Sequence, residues 1–312
     1  MDFPMSQCGF LFPGQGSQFV GMGKDFFETF PWVQAFFEKA NAILGFDLAS
    51  VCFEGPEEKL KQTRYTQPAI VVHSVIAHKL LQDKGIVPQA MAGHSLGEFS
   101  ALIASGALDF ETGLTLVRER ARLMSEAGAK YPGTMAAVIG LSPAEIQSIC
   151  EEAASVGVVQ PANFNSLEQT VISGSKDAVE RACGLAQQRG AKRVVPLAVS
   201  GAFHSPLMAE PSKQFDEILK KTAFQKPTVS LYLNASGKAS TDPGEIQELV
   251  AKQMTHSVQW VETIQNMIRD GISLFYEVGP GKVLSGLVKR IDKNATVVPC
   301  GTVAEITAIE AK

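Results

Sequence analysis

Several things are missing from this 312-residue chain, and each absence weighs against a class of function. No run approaches the roughly 18 consecutive apolar residues of a membrane span, so no membrane role is expected. The opening residues, MDFPMSQCGFLF, have neither a basic n-region nor a long apolar stretch, and no signal peptide is read there. The five cysteines (Cys8, Cys52, Cys150, Cys183, Cys300) are scattered, odd in number and form no C-x-x-C. That pattern suits reduced thiols in a cytoplasm and no zinc site. A net charge of -4 argues against a nucleic-acid partner. Two nucleotide fingerprints also fail. The last glycine of a G-x-G-x-x-G starting at Gly14 would fall on Phe19, and a phosphate loop ending in Gly281-Lys282 would need glycine at Tyr276 and Ser/Thr at Val283. There are only five histidines. His73 and His78 are five apart on a core-facing helical pattern, the wrong spacing for a metal pair, so no metal is expected.

What is present is ordinary globular material, 45% apolar and 19% charged, enough for one large domain or two smaller ones. Gln7–Phe12 reads as a buried strand. Helical patterns follow at Gly23–Leu44 and Pro68–Lys84, then a short strand at Ile86–Ala92, a helix at Glu98–Ala104 and another from Asp109 to about Ala127. Such alternation implies a mainly parallel, helix-covered sheet. The middle differs. Strands at Thr134–Gly140, Gly157–Phe164, Thr170–Ser173 and Arg193–Val199 interleave with helices at Pro143–Ala154 and Lys176–Arg189. That βαββαβ order is the ferredoxin-like split pattern. We therefore expect an α/β protein, with a large parallel-sheet part (1–127 and 200–312) and an inserted ferredoxin-like subdomain at 128–199. The larger part resumes with Leu231–Ala235, a helix at Glu245–Met254 and a strand at Ser273–Val278.

Three constellations carry chemistry. Gly93-His94-Ser95-Leu96-Gly97 matches G-x-S-x-G, the nucleophile elbow, where glycines remove Cβ atoms from a sharp strand-to-helix turn. The Leu96 amide would then face a developing oxyanion. A glycine-flanked turn that happens to hold a serine is the plain alternative. A nucleophilic serine needs a base. His94 adjoins it, but neighbours on an elbow point apart. His204 and His256 follow it, and His204, in a loop directly after a strand, is the stronger choice. The Gly14-Gln15-Gly16-Ser17-Gln18 loop offers further oxyanion donors. Finally, Arg120 falls inside the apolar stripe formed by Leu114, Leu116, Val117, Ala121 and Met124. A guanidinium there either binds a carboxylate-bearing substrate, makes an internal pair with Asp or Glu, or snorkels.

Taken together, these motifs resemble the malonyl-CoA:acyl carrier protein transacylases of bacterial fatty-acid synthesis. The likeness runs over nearly the whole chain. It rests on Phe12-Pro13-Gly14-Gln15-Gly16-Ser17-Gln18, Thr66-Gln67-Pro68-Ala69, Gly93-His94-Ser95-Leu96-Gly97-Glu98, Gly201-Ala202-Phe203-His204-Ser205 and Glu277-Val278-Gly279-Pro280-Gly281-Lys282. The resemblance implies an α/β-hydrolase-like catalytic part, Ser95 as acylated nucleophile, His204 as base, and Gln253 orienting His204 through its backbone carbonyl. It implies Gln15 and the Leu96 amide as the oxyanion hole, and Arg120 as the cation for the malonyl carboxylate. His94, Asn163 (in Asn163-Phe164-Asn165) and the malonyl-type Phe203 would line the substrate site. The substrates would be malonyl-CoA and acyl carrier protein, with no cofactor beyond the coenzyme A thioester itself. The carrier's family is acidic, and Lys192-Arg193 and Lys289-Arg290 are the paired cations available to meet it. One departure is Ser257, where the family usually has proline. A serine thioesterase or carboxylesterase shares the elbow and is the alternative reading; a non-catalytic scaffold is the remaining one.

Overall fold

A computed structural model describes residues 7–199 and 201–310. Residues 1–6, which carry half of the segment read for a signal peptide, and Ser200, beside the His204 motif, lie outside the described residues.

Ten strands form two sheets among these residues. They are β1 (Cys8–Phe12), β2 (Ala90–Gly93), β3 (Gly133–Ile139), β4 (Val159–Ser166), β5 (Gln169–Ser175), β6 (Arg193–Pro196), β7 (Ser230–Tyr232), β8 (Ala239–Ser240), β9 (Leu274–Glu277) and β10 (Thr296–Pro299). The larger sheet runs β10-β9-β1-β2-β7-β8 and is parallel except for the β7–β8 edge. β1 sits inside it with all five residues buried, as an unbroken apolar strand in a covered parallel sheet must be. The smaller sheet, β4-β5-β3-β6, is antiparallel. Helices Pro143–Ala153 and Lys176–Gln188 cover it with a separate apolar core that includes Ile146, Ile149, Val159 and Ile172. This is the expected α/β architecture with a ferredoxin-like second sheet. The proposed boundary at residue 128 falls in the last turn of the helix Phe110–Lys130.

Several elements differ from the sequence reading, each for a local reason. The helical pattern at 23–44 is two helices, Lys24–Thr29 and Pro31–Leu44, because Phe30 is extended before Pro31. The helix expected from Pro68 starts at Thr63 and carries Pro68 inside it. The carbonyl that loses its partner belongs to Arg64, an exposed residue that water reaches, while sixteen residues of this helix are buried. β2 begins at Ala90, not Ile86: the Gln89 side chain takes the Cys8 N–H, and Val87 is exposed. β6 stops at Pro196, where only one more ladder bond, Leu197 N–H to Met135 O, is made. The strand at 231–235 ends at Tyr232 because a turn follows, with Gly237 N–H bonded to Leu233 O. The helix expected at 245–254 runs Pro243–Lys252, capped by Asp242. Among the described residues no helix is long and apolar enough to cross a membrane.

Candidate active site

The site lies where the C-terminal ends of β1, β2 and β7 meet. β2 ends at Gly93, the chain reverses through Ser95, and a helix starts at Gly97. Ser95 sits at φ 49, a left-handed conformation that a non-glycine residue adopts only under constraint from its surroundings. The constraint is visible in packing. A Cβ on Gly93 would lie 1.9 Å from the Gly97 carbonyl carbon, and one on Gly97 would lie 2.0 Å from the Phe12 carbonyl oxygen. The elbow is therefore pressed against the end of β1, and His94 N–H bonds to Phe12 O at 3.0 Å.

Asn234, just after β7, clamps the turn from the other side. Its Oδ1 accepts from Ser95 N–H at 2.7 Å and its Nδ2 donates to Gly93 O at 2.6 Å. Sequence reasoning missed this residue, since an asparagine after a strand reads as ordinary loop chemistry.

Ser95 Oγ lies 2.8 Å from His204 Nε2, and His204 Nδ1 lies 2.8 Å from Gln253 O. A carbonyl only accepts, so Nδ1 carries the ring proton and Nε2 is the free base facing the serine. His204 also has a positive φ of 56, and Gln160 Nε2 holds its backbone carbonyl at 2.8 Å. Burial, with the Arg120 cation adding to it, pushes the imidazole down to about 3, so it is neutral at ordinary pH. The other histidine after the serine, His256, bonds Lys252 O. It faces a separate surface groove of about 630 Å³ between the helices Ala209–Leu219 and Pro243–Lys252.

Arg120 is fully buried. One nitrogen, Nη2, donates to Gln253 Oε1 at 2.8 Å and to Ser95 Oγ at 3.3 Å, and the guanidinium lies 5.5 Å from the Phe99 ring. Nε and Nη1 have no partner. Neither alternative drawn from the sequence is met: Arg120 reaches no carboxylate at ion-pair distance among the described residues, and its head is not in solvent. Burial lowers it to about 10, against an opposing pull from Glu98, and it remains a cation. Two unpaired donors on one buried cation are costly unless something else takes them.

Glu98 was quoted from the sequence only as part of the elbow motif. It is buried, accepts from Asn234 N–H at 2.7 Å, and accepts from Gln253 Nε2. Burial pushes its carboxyl up to about 7, offset in part by those two donors and by Arg120. A carboxylate opening the mostly apolar stretch Phe99–Ala104 was the signal that would have found it.

A cavity of about 110 Å³ opens above the serine. Its walls include Gln15, His94, Ser95, Leu96, Asn163 and Phe203, so the structure brings all of these expected site residues together with His204. Gln15 lies within 3.5 Å of Thr63 Oγ1, and the Gly14 backbone packs on His94 O. His94 points away from Ser95, as expected of elbow neighbours; its Nε2 meets Asn165 Oδ1 at 2.7 Å and its ring packs edge-on to Trp260. Ser257 donates to Pro161 O at 2.6 Å, a hydroxyl tether of the Gln253 loop to β4. The paired cations lie apart from the cavity. Lys192 pairs with Glu168 at 2.9 Å and Arg290 donates to Gln169 at 2.9 Å, so both pairs flank the β4–β5 turn. Arg193 and Lys289 are exposed beside them. Among the described residues no group of three or more His, Cys, Asp or Glu is placed to hold a metal ion.

Known proteins resemble this chain over nearly its whole length. The acyl transferase domain family matches residues 9–305. The malonyl CoA-acyl carrier protein transacylase of Escherichia coli (strain K12) is 45% identical over 288 residues, covering 92% of this chain and 93% of that protein. The solved structure of the malonyl CoA-acyl carrier protein transacylase from Coxiella burnetii superposes with a TM-score of 0.94 at 41% identity, covering 98% of both chains. A malonyl-transacylase solved in complex with its type II polyketide acyl carrier protein superposes with a TM-score of 0.93 at 39% identity, covering 97% of this chain and 98% of that one.

Proposed function

The chain belongs to the acyl transferase domain family, and we propose that it moves a malonyl group from malonyl-CoA to the phosphopantetheine thiol of acyl carrier protein in fatty-acid biosynthesis. The observation that carries this reading is the pairing of a preformed Ser95–His204 dyad with a buried Arg120 that has two unused donors. The dyad supplies the nucleophile, and the guanidinium supplies a reason for the acyl group to bear a carboxylate.

The chemistry follows from the distances. His204 Nε2 takes the Ser95 Oγ proton while Oγ attacks the thioester carbonyl, and Gln253 O steadies the imidazolium through Nδ1. Gln15 and the Leu96 amide receive the oxyanion. The C–S bond breaks, and His204 returns its proton to the departing coenzyme A thiol. Ser95 then holds the malonyl ester, with its carboxylate on the Nη1/Nη2 edge of Arg120, where Nη1 is unused and Nη2 exchanges its long Ser95 Oγ contact. In the second half, His204 deprotonates the pantetheine thiol, which attacks the ester. The bond between the malonyl carbonyl carbon and Ser95 Oγ breaks, and His204 returns the proton to the hydroxyl. Phe203 and Asn163 shape the space around the acyl chain, and His94, held by Asn165, forms its wall. Coenzyme A enters as a substrate, and the scheme draws on no further cofactor.

The acidic carrier docks beside the β4–β5 turn, where Lys192, Arg193, Lys289 and Arg290 gather; Glu168 offsets part of that charge. Cys52, Cys150, Cys183 and Cys300 form no disulfide among the described residues, which fits a cytoplasmic setting. The subdomain division at residues 128 and 199 belongs to the same reading, with the second sheet supplying Asn163 to the cavity wall.

The test is the intact mass after brief exposure to malonyl-CoA, followed by addition of a carrier. Gain of one malonyl group that Ser95→Ala abolishes, and its passage to the carrier thiol faster than to water, are the expected results. Release to water alone would instead make the protein a thioesterase. An adduct persisting in Ser95→Ala would remove Ser95 from the mechanism.

A further inference from the structure

Gln253 is placed to do more than hold the base. Its backbone carbonyl meets His204 Nδ1, its side-chain Oε1 meets Arg120 Nη2, and its Nε2 donates both to Ser95 O and to Glu98. One residue thus touches the base, the cation and the elbow. Its backbone carbonyl cannot be turned without moving the chain, but its amide can. Turned the other way, Nε2 would oppose the Arg120 donors, and Oε1 would oppose both the Ser95 carbonyl and the Glu98 carboxylate. Ser95 O is a weak neutral acceptor, whereas Glu98 is a buried acid whose second oxygen is already spent on Asn234 N–H.

We propose that Glu98 is a specificity-determining positioning residue: by accepting from Gln253 Nε2, it locks the amide so that Oε1 holds Arg120 beside Ser95 Oγ, where the acyl group is attached. Glu98 touches neither substrate nor Arg120; it acts through Gln253. The inference rests on the reading of Arg120 as the carboxylate-binding cation. It goes beyond that reading by assigning what aims the cation, and it separates two properties of the site. The Ser95–His204 pair depends on the Gln253 backbone, while selection of a carboxylate-bearing acyl group depends on the Gln253 side chain and therefore on Glu98.

Glu98→Gln keeps the shape and keeps an acceptor for Asn234 N–H. Its new NH2 then faces Gln253 Nε2, donor against donor, and the conflict is relieved by turning the Gln253 amide, which unseats Arg120. The assay is acylation of Ser95 by malonyl-CoA and by acetyl-CoA, read as kcat/KM for each in proteins whose fold is checked by circular dichroism. We expect the malonyl-to-acetyl ratio to fall on the order of tenfold or more, because acetyl transfer uses the dyad without the cation. A role confined to holding the elbow would lower both substrates together and leave the ratio unchanged. Gln253→Leu, which keeps the backbone carbonyl, is the second arm: the ratio should fall there too, and Glu98→Gln added to it should lower the ratio no further. A ratio that holds or rises in folded Glu98→Gln overturns the proposal, a rise meaning that Glu98 merely tempers the charge of Arg120. If Glu98→Gln does not fold, an unchanged ratio in Gln253→Leu overturns it equally. Arg120→Ala separates the two layers. If it collapses the ratio and Glu98→Gln does not, this inference alone fails; if it leaves the ratio intact, the reading of Arg120 fails and takes this inference with it.

Discussion

Truncating Arg120 offers a direct reading of the site. In the free protein Nη2 is occupied by Gln253 and Ser95, whereas Nε and Nη1 are buried with no partner. A malonyl carboxylate on the Nη1/Nη2 edge would fill Nη1 and replace the 3.3 Å Ser95 contact on Nη2, making two charge-assisted bonds. A hydrogen bond to a charged group contributes about 1.5–3 kcal/mol, so two amount to about 3–6 kcal/mol, or roughly 10²–10⁴-fold in kcat/KM. Arg120→Ala should lose that much with malonyl-CoA. Acetyl-CoA has no carboxylate to meet the guanidinium, so its already poor transfer should change by much less, or improve as the unpaired cation goes. Arg120→Lys should recover only part of the malonyl activity, because an ammonium is a point charge and cannot reproduce a planar fork. Stopped acylation with each acyl-CoA, followed by intact mass, gives both rates in wild type and variants. Equal losses for the two substrates in a folded Arg120→Ala protein would refute the argument and leave Arg120 as a structural residue.

Three other outcomes are expected. Asn234→Ala leaves Ser95 N–H and Gly93 O without partners and should cost about 2–6 kcal/mol at about 1–3 kcal/mol per orphaned buried group, measured by urea denaturation; a loss within 0.5 kcal/mol, roughly the scatter of an ordinary surface substitution, would mean the clamp is incidental. Gly97→Ala drives a Cβ into the Phe12 carbonyl and should destabilise by about 3 kcal/mol or more, whereas Gly184→Ala, whose Cβ meets nothing within 4 Å, should stabilise its helix by about 0.5–1 kcal/mol; equal thermal shifts for the two would count against the packing argument. His204 lies far below its ordinary 6.5, at about 3, so the acid limb of kcat/KM for acylation should fall well below pH 6.5, and a limb at 6.5 or above would contradict the buried neutral base. Stability should follow the same sign: His73 and His78, also buried and lowered to about 4, bind protons more readily unfolded, so stability present above pH 6.5 drains away as pH falls toward 4.

The chemistry-bearing residues were legible in the sequence because their constraints are local. Ser95 needs a turn between two glycines, and Arg120 stands out as a charge in an apolar stripe, so short-range patterns reveal both. The alternation of elements likewise gave the two-sheet architecture. Helix and strand ends were less legible, since Pro68 and Pro196 act according to whether a lost ladder bond is made good elsewhere, which depends on tertiary neighbours. Asn234 and Gln160 were invisible for a related reason: their importance comes from backbone groups 139 and 44 positions away in the chain. Glu98 was quoted but given no task, because its acceptors' partners, Gln253 and the Asn234 amide, come together only once β2 and β7 are side by side.

The clamping of the elbow by distant segments also has a meaning for the order in which the chain is made. The serine emerges early in synthesis, the histidine more than a hundred residues later, and the carbonyl that selects its tautomer later still. Until the segment bearing Gln253 has been added, a growing chain holds Ser95 without the carbonyl that fixes the tautomer of its base. Chains that stop short of Gln253 should therefore take acyl groups from coenzyme A thioesters more slowly, which labelling of a chain truncated there would show. Chemical reactivity at Ser95 thus reports that the chain has been built and folded at least as far as Gln253.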